Sequence, residues 1–114
     1  MVSPIGFDQL EDGADRSKIF EGHEYDAPVS FFVVDVDPGE GPALHQHPYV
    51  EVFVVQQGTA TFTVGEATME VVAGHIVVAP ADLPHAFVNT GSSALRTVNI
   101  HPVPRMETAW LGDE

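Results

Sequence analysis

Apolar positions in this chain fall into short runs closed by glycine or proline, and helical periodicity is almost absent. Val29–Asp37 is rich in β-branched and aromatic residues and stops at Pro38-Gly39, which predicts a strand. Glu51–Gln57 predicts another, ended by Gly58, with Thr59–Val64 as its hairpin arm. Gly65-Glu66 has the form of a two-residue hairpin turn, from which Thr68–Val72 continues the meander. Ala73-Gly74, Pro80 and the loop 90–93 then separate strands expected over His75–Ala79, His85–Asn89 and Leu95–His101. A short strand is expected at Lys18–Phe20, a turn or strand start at Gly22–Tyr25, and a short edge strand or arm over 105–111. Many short strands with turn signals between them, and no long crossovers, predict an all-β sandwich or small barrel. Residues 1–17 are weakly patterned and acidic and are read as an N-terminal arm; residues 18–114 are read as one barrel domain.

Composition narrows the chemistry more than the fold. The 114 residues suffice for one domain, and a hydrophobic content of 44% marks the chain as globular. Cysteine is absent, which excludes disulfides, thiolate metal ligands and cysteine nucleophiles together. Seventeen acidic residues against four basic ones give a formal charge of −13, a surface that repels nucleic acid and anionic membranes. No run approaches the ~20 apolar residues of a bilayer span. The first residues lack the basic-then-apolar pattern of a secretory signal, so the expected location is the cytoplasm. The sequence has no phosphate-binding glycine loop and no nucleophile elbow.

The stretch from Gly39 to Gly58 carries the candidate chemistry. His45 and His47 are separated by one residue, and Glu51 follows four residues after His47. Side chains at i and i+2 share a face only on an extended chain, so the two imidazoles converge only if residues 44–47 are extended. Pro48 favours a turn there, and the strand beginning at Glu51 brings a carboxylate back to the imidazoles. Imidazole with carboxylate is a ligand set for a divalent transition metal. His85 adds a third histidine, just after the turn bounded by Pro80 and Pro84.

These spacings resemble a known family. Gly39-(five)-His45-x-His47-(three)-Glu51-(six)-Gly58 is similar to the first motif of the cupin superfamily. Gly74-(five)-Pro80-x-Asp82-(two)-His85-(three)-Asn89 is similar to the second. Asp82 stands where the family usually has glycine, and aspartate tolerates left-handed turn geometry better than most residues. The resemblance spans Gly39 to Asn89, nearly half of the chain. It implies a jelly-roll barrel, or double-stranded β-helix, in which His45, His47, Glu51 and His85 hold one divalent transition metal. Iron, manganese, nickel, cobalt, copper and zinc all suit such a set, and affinity alone does not choose among them.

Strand alternation assigns faces. Glu51, Phe53 and Val55 share one, as do His85, Phe87 and Asn89, and both sets are expected to face the interior. Val52 and Val54 then face outward although apolar, so that face needs a cover. A second copy in a homodimer is the expected cover, with the arm or tail of the same chain as the alternative. His101, at the end of the last strand, and Tyr49 are the candidates for a general acid or base. Tyr49, Phe62 and Phe87 are candidate pocket walls. His23 and His75 are read as lying outside the site, and Arg96 as part of a structural ion pair.

Two functions follow. One is a metal-dependent enzyme, such as a dioxygenase or isomerase, acting on a small molecule. The other is a non-catalytic module that holds a small ligand or senses a metal. The fold does not choose between them, and the absence of an appended DNA-binding segment tilts the reading to the enzyme.

Overall fold

Eleven strands and two short 3-10 turns make up the regular structure of residues 2–111, the residues described in a computed structural model of the chain. Met1 and residues 112–114, the ends of the arm and domain assigned above, lie outside them. One sheet has six strands in the order β1 (Glu11–Asp12), β2 (Lys18–Phe20), β3 (Ser30–Val36), β10 (Leu95–His101), β5 (Glu51–Gln57), β8 (His75–Ala79). The other has five, in the order β11 (Ala109–Trp110), β4 (His45–Gln46), β9 (His85–Asn89), β6 (Thr59–Val64), β7 (Ala67–Val72). All pairings are antiparallel, and the chain passes repeatedly between the sheets, as a jelly roll requires.

The predicted strands are present with small shifts at their ends. Val64 pairs with Ala67 across Gly65-Glu66, the two-residue turn read from the sequence. Gly22–Glu24 is a 3-10 turn rather than the start of a strand. At Gly58 φ is +94°, and an added Cβ would come within 2.7 Å of the Ala94 carbonyl, so a side chain is excluded there on two counts. Asp82 has φ 62°, the left-handed turn that aspartate accepts in place of glycine.

Between the sheets, Phe53, Val55, Phe62 and Leu95 are at most 1% exposed and form the centre of the core with Val34, Val36, Val71 and Phe87. Phe53 meets Phe62 and Phe87 edge-on, at ring separations of 5.1 and 5.9 Å. The opposite face of the six-stranded sheet is also apolar. Register aligns Val78, Val52, Ile100, Phe31 and Phe20 in one row across it. Ile76, Val54, Val98, Val33 and Lys18 form the next. Ile76 is 64% and Val78 54% exposed.

Candidate metal centre

Glu51 begins β5 with its side chain inward, in step with Phe53 and Val55, and is 2% exposed. His45 and His85 face each other directly across β4 and β9. His47 follows β4 by one residue, and its carbonyl accepts the backbone N–H of Asp82 at 2.8 Å. That bond ties the turn of one motif to the ligand strand of the other. A second tie joins the motif ends, where the Gly39 N–H meets the Asn89 carbonyl at 2.8 Å.

These elements bring His45, His47, Glu51 and His85 together. One ligand atom from each lies within 4.8 Å of the others, and all four residues are buried. His47 Nε2 and His85 Nε2 lie 2.9 and 3.0 Å from Glu51 Oε1. His101 Nε2 lies 3.0 Å from Glu51 Oε2, the other carboxylate oxygen; the His101 ring is 4.6 Å from that of His47, and the residue is 2% exposed.

Their far ring nitrogens divide the four histidines into two kinds. In His45, His47 and His85, Nδ1 faces a backbone carbonyl: Ala43 at 2.7 Å, Glu107 at 2.8 Å and Leu83 at 3.2 Å. A carbonyl only accepts, so Nδ1 carries the hydrogen, and Nε2 of the neutral ring is left with its lone pair facing the cluster. His101 is different. The Tyr49 hydroxyl, which accepts the Glu107 N–H at 3.1 Å, lies 2.8 Å from His101 Nδ1 and, unlike a carbonyl, can donate to that nitrogen as well as accept from it. With Tyr49 donating, the hydrogen of neutral His101 sits on Nε2, 3.0 Å from Glu51 Oε2.

The donor set fits a divalent metal. His47 Nε2 is buried with no aligned hydrogen-bond partner, which in a protein without a cation is costly. His85 contacts both Leu83 and Glu51, and only a doubly protonated ring satisfies both; a cation takes the place of that proton. His101 Nε2 is also unaligned, although it lies close to Oε2.

Electrostatics follow from this packing. Burial pushes the Glu51 carboxyl up, but hydrogen bonding from His101, His47 and His85 outweighs it and holds Glu51 well below the carboxylate range. Burial lowers His45, against a smaller upward pull from the Ala43 carbonyl. Burial opposes charge on His47 as well, but Glu51 and the Glu107 carbonyl together raise it above its ordinary value. Burial raises the Tyr49 phenol.

A cavity of about 250 Å³ opens over Glu51, lined by His45, His47 and His101 and walled by Phe32, Val34, Val36, Phe53 and Phe87. Of the aromatic residues proposed as walls, Phe87 lines it. Phe62 does not, because it is buried beneath Phe53 and Phe87. Tyr49 stands behind His101 and stacks on His47 at 5.1 Å. Asn89 is buried, but its amide is spent on Val36, Ser93 and Gly91. His75 is exposed, His23 lies 3.4 Å from Glu21, and Arg96 pairs with Asp35, so all three stand apart from the site.

Three features escaped the sequence reading. Asn99 lines the cavity and is 5% exposed; its strand parity with His101 was a usable signal. Glu107 contributes only its backbone, which no sequence signal reveals. Trp110 packs 4.9 Å from the His45 ring, because β11 pairs with β4.

Solved structures share this architecture. The oxalate decarboxylase of Lactobacillus farciminis, in a formate complex, is 24% identical with a TM-score of 0.79 over 91% of this chain and 34% of its own. An oxalate oxidase is 21% identical with a TM-score of 0.74, covering 83% of this chain and 54% of its own. The Bacillus subtilis oxalate decarboxylase, which has Mn(II) centres, is 23% identical with a TM-score of 0.77 over 89% and 29%. The chain thus spans about half or less of each. None of the curated proteins matches it. A cupin-domain model matches residues 32–101, from β3 through to His101, and on that match the chain belongs to the cupin family.

Proposed function

We propose that this chain is a small-molecule metalloenzyme in which His45, His47, Glu51 and His85 hold one divalent transition metal and His101, set by Tyr49, acts beside it. The observation that carries this reading is the buried cluster itself, in which one ligand atom from each of these four residues lies within 4.8 Å of the others. On the far side of the rings, Nδ1 of the three ligand histidines meets a backbone carbonyl, whereas that of His101 meets the Tyr49 hydroxyl. Manganese, present in the Bacillus subtilis neighbour, is one candidate alongside iron, nickel, cobalt, copper and zinc. Such a metal supplies Lewis acidity or redox chemistry at its open positions. His101 lines the cavity and, with Nε2–H toward Oε2, orients the Glu51 carboxylate. Tyr49 and the Glu107 N–H hold that tautomer. The walls of the pocket are largely apolar.

The test is turnover. Protein loaded anaerobically with Fe(II) or Mn(II) is offered small dicarbonyls, hydroxy acids and catechols, with oxygen uptake and product mass followed together. Product formation that disappears in Glu51→Gln supports the enzyme. Saturable binding without product under every metal supports the binding module instead.

The outer face of the six-stranded sheet supports a homodimer. Among the described residues, β1 is hydrogen-bonded along the edge strand β2, β11 lies in the other sheet, and Tyr25 stacks on Phe20 at the β2 end of the face, while Ile76 and Val78 at the β8 end stay exposed. A second copy is the occupant we propose for that exposed end. Two apolar rows on a chain of charge −13 offer a face that a copy can approach without meeting dense like charge.

A further inference from the structure

The cavity over Glu51 contains no lysine or arginine. The four cations of the chain stand elsewhere. Arg16 pairs with Asp35 and Asp37, Arg96 with Asp35, Lys18 with Asp12, and Arg105 is exposed past the end of β10. The charged residue at the rim is Glu40, which adds to the repulsion of anions.

Charge balance then limits what can enter. A divalent metal held by one carboxylate and neutral imidazoles leaves a single positive charge. One ionised oxygen neutralises it. A dianion leaves an uncompensated negative charge among aromatic and aliphatic walls, a state that such surroundings penalise strongly.

Asn99 supplies the complementary polar feature. It lies on the inner face in register between Phe32 and Phe53. Its Oδ1 accepts the Thr97 hydroxyl at 2.7 Å, while its amide nitrogen forms no hydrogen bond within the described residues. That nitrogen is not one of the fully buried unpartnered atoms, so it opens on to the cavity as a donor that an acceptor on a bound molecule can meet. Size sets the last limit. An apolar cavity of about 150 Å³ holds a benzene, so about 250 Å³ admits a ring with a few further heavy atoms.

We propose that this cavity takes a compact, mainly apolar molecule that chelates through oxygen, ionises at most once and turns an acceptor atom to Asn99, and that it rejects small dicarboxylates. The proposal rests on the metalloenzyme reading, because the charge being balanced is that of a metal held with Glu51.

Calorimetry on Zn(II)-loaded protein tests it with malonate, its monomethyl ester and its monobenzyl ester. The three share one chelating skeleton, and only malonate is a dianion. In free solution the dianion is the stronger chelator, so an inverted order is a property of the cavity. The methyl ester should bind at least about tenfold more tightly than malonate. The benzyl ester should gain about tenfold more from burial of its ring. Asn99→Leu should weaken the methyl ester about tenfold at unchanged zinc content, with Asn99→Ser as the alternative if the leucine variant does not fold. Malonate binding as tightly as its ester to protein that retains zinc would overturn the proposal and leave the metal centre standing. Failure to bind zinc would overturn both.

Discussion

The Tyr49 hydroxyl lies 2.8 Å from Nδ1 of His101 while accepting the Glu107 N–H at 3.1 Å, and the direction of the first bond decides which nitrogen of His101 carries hydrogen. With Tyr49 donating, His101 keeps a bare Nδ1 and presents Nε2–H toward Glu51 instead of a lone pair. His101 is therefore set apart from three neighbours of the same residue type by a hydrogen-bond partner on the far side of its ring.

Nitrogen NMR of the Zn(II)-loaded protein reads this directly. His45, His47 and His85 should show hydrogen at Nδ1, and His101 at Nε2. Tyr49→Phe removes the donor to His101 Nδ1, so the His101 pattern should change while the other three stay as they are. The lost buried hydrogen bond should cost about 1–2 kcal/mol of stability. An Nδ1–H signal for His101 in the wild type would reverse its assigned role.

His45 and His47 should respond to pH with opposite signs in protein kept metal-free with chelator. The folded-state value of His47 is raised above 6.5, so its contribution is present below that pH and fades as pH rises through the folded value. His45 is lowered from 6.5, so its contribution is present above that pH and is lost as pH falls through its folded value. Urea midpoints at pH 5.5 and 8 test both. The wild type should exceed His47→Ala by more at the lower pH, and exceed His45→Ala by more at the higher. Equal gaps at the two pH values would argue against the electrostatic account of the cluster.

Ile76 and Val78 are exposed in the single chain, so Lys at both positions should leave its fold intact. Light scattering should show a dimer for the wild type and a monomer for Ile76→Lys/Val78→Lys, with unchanged circular dichroism. A wild-type monomer would remove the interface.

Strand alternation made much of this legible in the sequence. Glu51, Phe53 and Val55 are buried in step, as are His85, Phe87 and Asn89, and the apolar outer positions Val52 and Val54 flagged the second face. Alternation says which way a side chain points, not which strand lies opposite. It could therefore not show that His101 would reach Oε2 of Glu51, or that Asn99 would sit between Phe32 and Phe53; those relations come from β10 pairing with both β3 and β5. It could not separate a wall from the layer beneath it, as with Phe87 and Phe62. Glu107 left no pattern to read because it acts through backbone groups: its carbonyl holds His47, and its N–H holds Tyr49.

Metal analysis of the wild type and its single histidine variants, after equilibration with a divalent metal and desalting, tests the central claim most directly. The ligand and donor assignments require about one metal per chain in the wild type and in His101→Ala, and loss of most of it in His45→Ala, His47→Ala and His85→Ala. A wild type that retains no metal, or a His101→Ala protein that loses it as fully as His85→Ala, would contradict the account.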